Sequence, residues 1–75
     1  MRSKKYCVIG LGYFGTNLAL YLTQEGAEVI AIDLNSDRVA QIKDKVSLAV
    51  EADSTDIKVL KSLGVSEMDA VIVAI

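Results

Sequence analysis

Histidine, proline and tryptophan are absent from these 75 residues, and cysteine occurs once. Without histidine, Ser-His-Asp and Cys-His catalysis are excluded, and with a single thiol there is no ordinary ligand set for zinc. Cys7 has no internal disulfide partner. It stands in an apolar run, which reads as a buried, inert thiol of a cytosolic protein rather than a reactive one. No apolar run approaches the ~20 residues of a membrane span. The opening residues lack a long apolar region followed by a cleavage site, so no signal peptide is expected. Eight Lys and Arg stand against ten Asp and Glu, a net charge of −2, which leaves no clustered basic face for nucleic acid. Arg2, Lys4 and Lys5 read as a solvated basic start, with anionic lipid as the alternative. No linker, repeat or low-complexity stretch divides the chain, so residues 1–75 are expected to form one small domain.

What is present is apolar and regularly punctuated. Hydrophobic residues make up 52% of the chain, more than a disordered segment carries. Tyr6 to Ile9 is a strand-like run closed by Gly10. Phe14, Leu18, Tyr21 and Leu22 recur at helical spacing and stop at Gly26, a natural helix end. Val29 to Ile32 forms a second strand ending at Asp33. Asn35 or Ser36 caps a short helix whose inner face is Val39, Ile42 and Val46. Ser47 to Val50 is a third strand, and Ser54 to Leu63 a third helix with Ile57, Leu60 and Leu63 inward, closed by Gly64. Ala70 to Ile75 is uninterrupted and β-branched, as in a strand buried on both faces. Such β-α-β-α-β-α-β alternation requires a parallel sheet with right-handed crossovers. The expected fold is α/β, a four-stranded parallel sheet with three helices.

Gly10, Gly12 and Gly15 form G-x-G-x-x-G between a strand and a helix. Alone, the pattern is also compatible with a simple tight turn. Its setting here matches a nucleotide fingerprint: a strand before, a helix after, and an acid at the end of the next strand. The first glycine permits the turn, the second lets the backbone approach a pyrophosphate, and the third allows close helix–strand packing. The helix beginning near Tyr13 then presents free N–H groups and its positive dipole end to phosphate. Asp33 follows Gly10 by 23 residues. A carboxylate there accepts ribose hydroxyls and repels a 2′-phosphate, favouring NAD or an adenine nucleotide over NADP; the structural alternative is a turn or capping aspartate. Arg38 either flanks the adenine, offsets the charge of Asp33, or is solvated. Asp53 lies at the carboxyl edge of the sheet, where it either accepts from the adenine amino group or caps the third helix.

The stretches "GLGYFG", "AIDLNSDRV", "ADSTD" and "LKSLGVSEMDAVIVAI" together resemble the N-terminal nucleotide-binding domain of the regulators of potassium conductance, the RCK, KTN or TrkA-N family. The resemblance runs from Lys5 to Ile75. It implies a Rossmann-like half with strand order 3-2-1-4. It further implies Gly10, Gly12 and Gly15 at the phosphates, with Leu11, Tyr13 and Phe14 donating or lining. Asp33 would hold the ribose beside Leu34 and Arg38, Ala52, Asp53 and Ser54 would meet the adenine, and Ala74 with Ile75 would close the phosphate side. The implied ligand is NAD(H), ADP, AMP or ATP. Many members of the family carry a basic residue where this chain has Tyr13, and that difference shifts the expectation from a triphosphate towards NAD(H), ADP or AMP.

The resemblance implies a cytoplasmic regulatory module, peripheral to the inner face of the membrane through a K⁺ channel or transporter subunit, that senses its ligand without catalysis. Two other readings stand beside it: the N-terminal half of an NAD-dependent dehydrogenase, and a truncated Rossmann fragment with little ligand affinity. Domains of the family continue past the fourth strand, so the chain is expected to be a fragment. Its exposed strand Ala70 to Ile75 is then expected to support a homodimer or higher oligomer.

Overall fold

The central strand is the first one. In the computed structural model, which describes residues 3–75, β1 (Lys5–Ile9) lies between β2 (Glu28–Asp33) and β4 (Ala70–Val73), with β3 (Leu48–Glu51) outside β2. The order is therefore 3-2-1-4, all parallel, the Rossmann-like half that alternating strands and helices require. Arg2 lies outside the described residues. Helix α1 (Tyr13–Gln24) and α2 (Ser36–Ile42) follow β1 and β2, and α3 (Ile57–Ser62) follows β3 with a 3₁₀ turn at Val65–Glu67 before β4.

Because strand side chains alternate, the sheet builds two cores. Val8, Val29 and Ala31 point to one face, where Leu11, Ala19, Val39 and Ile42 bury them under α1 and α2. Cys7, Ile9 and Ile32 point to the other, where Leu60 and Leu63 at the end of α3 cover them with Val65 and Met68. Burial raises the Cys7 thiol above its ordinary pKa, consistent with an inert, protonated group.

Several local expectations change. The inner face of α1 is Gly15 and Ala19, with Leu22 packed against the core, whereas Phe14 and Tyr21 are exposed. The helix approaches the sheet too closely for long side chains on its contact line. Its end holds as expected: Gly26 takes φ +92°, a left-handed value that costs other residues strain. Strand β3 begins at Leu48 rather than Ser47. Helix α3 starts at Ile57, not Ser54, because the cap is Asp56, whose carboxylate accepts from the Lys58 N–H; Ile57 consequently faces solvent. Finally, β4 is not buried on both faces. Val71 and Val73 alternate outward on the α3 side and are exposed, as is Ile75. Helix α3, one short element, covers β1 and β2 but does not reach this edge.

Candidate functional site

A cleft of about 320 Å³ opens at the carboxyl edge of the sheet, towards the lower end of the roughly 300–1,000 Å³ usual for ligand pockets. Ile9 and Ile32 line it at the strand ends, Gly10 and Gly12 with Ala74 and Ile75 on the side of the glycine loop and β4, and Ala52 and Ser54 on the side of β3. Asp33, Leu34 and Arg38 line the middle. These residues come together because four parallel strands end side by side.

The glycine loop is held by backbone bonds that continue the sheet: the Gly10 N–H donates to Ile32 O at 2.8 Å, and the Ala74 N–H to Ile9 O at 2.7 Å. Gly10 has φ +96°, and a Cβ there would stand 3.0 Å from Ala74 O. A Cβ on Gly15 would overlap Gly10 O and press on Ala74 Cβ at 3.3 Å. Gly15 is thus the point where α1 meets the loop that precedes it. Gly12 differs: the nearest atom to a Cβ there is Arg38 Nη1 at 3.9 Å, so its open side faces the cleft. Gly12 is also the N-cap of α1 and provides no side-chain cap. The N–H groups of Tyr13, Phe14 and Gly15 have no acceptor within their own helix, which leaves the first turn able to receive an anion.

Asp33 is the organising residue. Its Oδ2 accepts the Leu11 N–H at 2.6 Å and its Oδ1 the Asn35 N–H at 2.8 Å. Arg38 Nη1 lies 3.8 Å from Oδ2. Partial burial by itself would raise this carboxyl. The N–H donors of Asn35 and Leu11, the Arg38 charge and the Leu34 N–H outweigh it, and the pKa is lowered overall. Asp33 is therefore an ionised carboxylate fixed in orientation, with lone pairs left for further donors. Asn35 in turn caps α2, accepting from the Asp37 and Arg38 N–H groups at 2.9 and 3.2 Å. One short segment thus positions both Asp33 and Arg38.

Not every expected residue reaches the cleft. The Leu11 side chain is buried in the core, and its N–H is already engaged by Asp33, so it locks the loop rather than donating to a ligand. Tyr13 and Phe14 are 90% and 64% exposed, and neither lines the cleft. Asp53 turns away: its Oδ1 accepts from Thr55 Oγ1 at 2.6 Å and from the Thr55 N–H at 2.8 Å, which lowers its pKa, with the hydroxyl the larger influence. It caps a turn rather than α3. Ile9 and Ile32 were not anticipated as lining residues; being the last apolar positions of β1 and β2, they carried that signal in their place before Gly10 and Asp33. Thr16 was also missed. Its hydroxyl donates to Leu11 O at 2.9 Å and ties α1 to the glycine loop.

A parallel sheet of order 3-2-1-4, a glycine loop at the first helix and a carboxylate closing the second strand define a Rossmann-like domain of the nucleotide-binding kind. Residues 6–75 match the TrkA-N domain, and the chain belongs to that family. Over 72 residues, 96% of the chain, it is 49% identical to the "Ktr system potassium uptake protein C" of Bacillus subtilis (strain 168), covering 33% of that protein. It is 39% identical over its whole length to the "Ktr system potassium uptake protein A" of the same organism, covering 34%. A shorter match, 52% over 40 residues, is to a UDP-N-acetyl-D-mannosamine dehydrogenase of Methanococcus maripaludis, covering 53% of this chain and 9% of that enzyme. The chain spans about a third of the length of the potassium uptake proteins it matches. Among the described residues, no helix is long and apolar enough to cross a membrane.

Proposed function

We propose that this chain is the ligand-sensing part of a regulator of potassium uptake, binding NAD(H) or an adenine nucleotide (ADP, AMP or ATP) without transforming it. The observation that carries the reading is the Asp33 carboxylate, ionised and held by two N–H groups beside the open first turn of α1. In this reading Asp33 accepts the ribose hydroxyls, with Leu34 and Arg38 beside it. Gly10 and Gly12 admit the phosphates to the N–H groups of Tyr13 and Phe14, Gly15 seats the helix, and Ala52 with Ser54 meets the adenine while Ala74 closes the phosphate side. Asp53 acts only through the turn it stabilises.

The non-catalytic part of this reading is supported by the lining and by the relatives. The ionisable side chains at the cleft are Asp33 and Arg38. The Asp33 carboxyl is held below its ordinary range by its N–H donors and the Arg38 charge, which suits it to accepting hydrogen bonds rather than to exchanging a proton near neutral pH. Potassium transport enters from the relatives that match nearly the whole chain, both named for potassium uptake. The proposed partner is a membrane transporter subunit, with the chain at the inner face of the membrane. A second copy of the chain is proposed to pair along the exposed β4 edge, Ala70 to Ile75.

The test is calorimetric titration with ATP, ADP, AMP, NAD and NADH, alongside thermal shift. Asp33→Ala removes charge-assisted hydrogen bonds of about 1.5–3 kcal/mol, so every ribose-containing ligand should weaken by roughly ten- to a hundredfold. No heat and no thermal shift with any of the five ligands would defeat the reading.

A further inference from the structure

Among the described residues the cleft has one basic side chain, and it does not come from the glycine loop. Residues 10–24 read GLGYFGTNLALYLTQ, without lysine or arginine. The positive charge at this end is supplied by α2. Arg38 Nη1 lies 3.8 Å from Asp33 Oδ2 and 3.9 Å from the position a Cβ on Gly12 would take. The guanidinium therefore hangs between the carboxylate and the loop. Beyond it, a second concavity of about 390 Å³ runs along the start of α1, with Tyr13, Thr16, Asn17 and Gln41 in its lining. Gly12 and Arg38 are the two residues that line both concavities.

At 3.8 Å the Arg38–Asp33 contact is an ion pair without a hydrogen bond. Each Asp33 oxygen accepts one backbone N–H and keeps a lone pair for a further donor, but the Arg38 guanidinium stands beyond hydrogen-bond reach of it and its side chain is about half exposed. Its donors are thus uncommitted, and a planar guanidinium fork suits phosphate oxygens. Resting on the nucleotide reading, we propose that Arg38 is the phosphate-reading residue of this site. It supplies from α2 the cation that the loop lacks, at the junction a phosphate chain must pass when it leaves the ribose. The role differs from flanking the adenine, because the guanidinium approaches Gly12 on the phosphate side.

The test is calorimetric titration of adenosine, AMP, ADP and ATP into the parent chain and into Arg38→Gln and Arg38→Lys, at low and high salt. The parent should bind ADP more tightly than adenosine, by an increment that shrinks as salt screens it. Arg38→Gln should lower the ratio of ADP to adenosine affinity by about tenfold, the size of one partly exposed charge-assisted contact. Arg38→Lys should recover part of it, keeping the charge without the fork. An unchanged ratio in Arg38→Gln overturns the assignment, as does an equal loss for both ligands, which would make Arg38 a support for Asp33 or the base. A parent chain that binds neither adenosine nor ADP overturns the nucleotide reading itself, and this assignment with it.

Discussion

Replacing Gly15 with alanine separates two consequences of one methyl group. In an ordinary helix interior, Gly→Ala is stabilising by about 1 kcal/mol. Here the added Cβ would overlap the carbonyl oxygen of Gly10 and stand 3.3 Å from Ala74 Cβ. The carbonyl is backbone, in a loop fixed by the Gly10 N–H bond to Ile32 O, so no rotamer change relieves the overlap. Helix α1 must move off the sheet, loosening the contacts of Leu11 and Ala19 in the core. Overpacking of this kind costs about 1–3 kcal/mol and sometimes more. With the obstacle a backbone atom, the upper end applies, and the net loss is about 2 kcal/mol or more. A 75-residue domain has roughly 4–11 kcal/mol in all. The melting temperature should fall by about 8–16 °C, at about 4–8 °C per kcal/mol. Thermal and urea unfolding followed by circular dichroism measure it. Gly12→Ala is the control: with φ −69° and its nearest neighbour at 3.9 Å, it should cost no more than about 1 kcal/mol through the cap. A Gly15→Ala chain that melts at or above the parent would refute the close approach of α1 to its own loop.

Two other perturbations probe the segment that organises the site. Asn35→Ala deletes the acceptor of the Asp37 and Arg38 N–H groups and should lower stability by about 1 kcal/mol, read as a lower urea midpoint at constant slope; an unchanged midpoint would show the cap to be dispensable. The Asp33 carboxyl is held below its unfolded value of about 3.9, so the folded chain binds fewer protons than the unfolded chain as pH drops through that region. Its contribution is complete above pH ~4 and is lost as pH falls through the lowered folded value. Urea midpoints between about pH 5 and pH 2.5 should therefore fall less steeply for Asp33→Asn than for the parent, with Asp53, also lowered, supplying part of the slope that remains. Parallel slopes would remove Asp33 from the linkage.

How much of this was legible in the residues depended on how local the physics is. Strand positions followed from short β-branched runs, and the helix ends from Gly26 and Gly64, since those signals act within a few residues. The cap at Asn35 was legible for the same reason. The face of α1 was not. Phe14, Leu18 and Tyr21 make the more apolar stripe, yet Gly15 and Ala19 are the residues buried, because a helix seated on its own loop has space there only for hydrogen and methyl. From the residues alone Asp53 read equally well as an adenine ligand or a helix cap, and the resemblance favoured the ligand; the α3 cap is Asp56, while Thr55, two residues on, holds the Asp53 carboxylate.

By itself the sequence determined the class of fold, the order of its elements and the glycine loop paired with Asp33, because alternation, turn chemistry and motif spacing are written along the chain. Only the tertiary structure decided what those residues do to one another. Leu11 spends its N–H on Asp33, Tyr13 and Phe14 face outward, and Arg38 reaches across from α2 to the side of Gly12. Those outcomes depend on how closely α1 and α2 settle on the ends of β1 and β2, a distance set by packing between segments far apart in the chain.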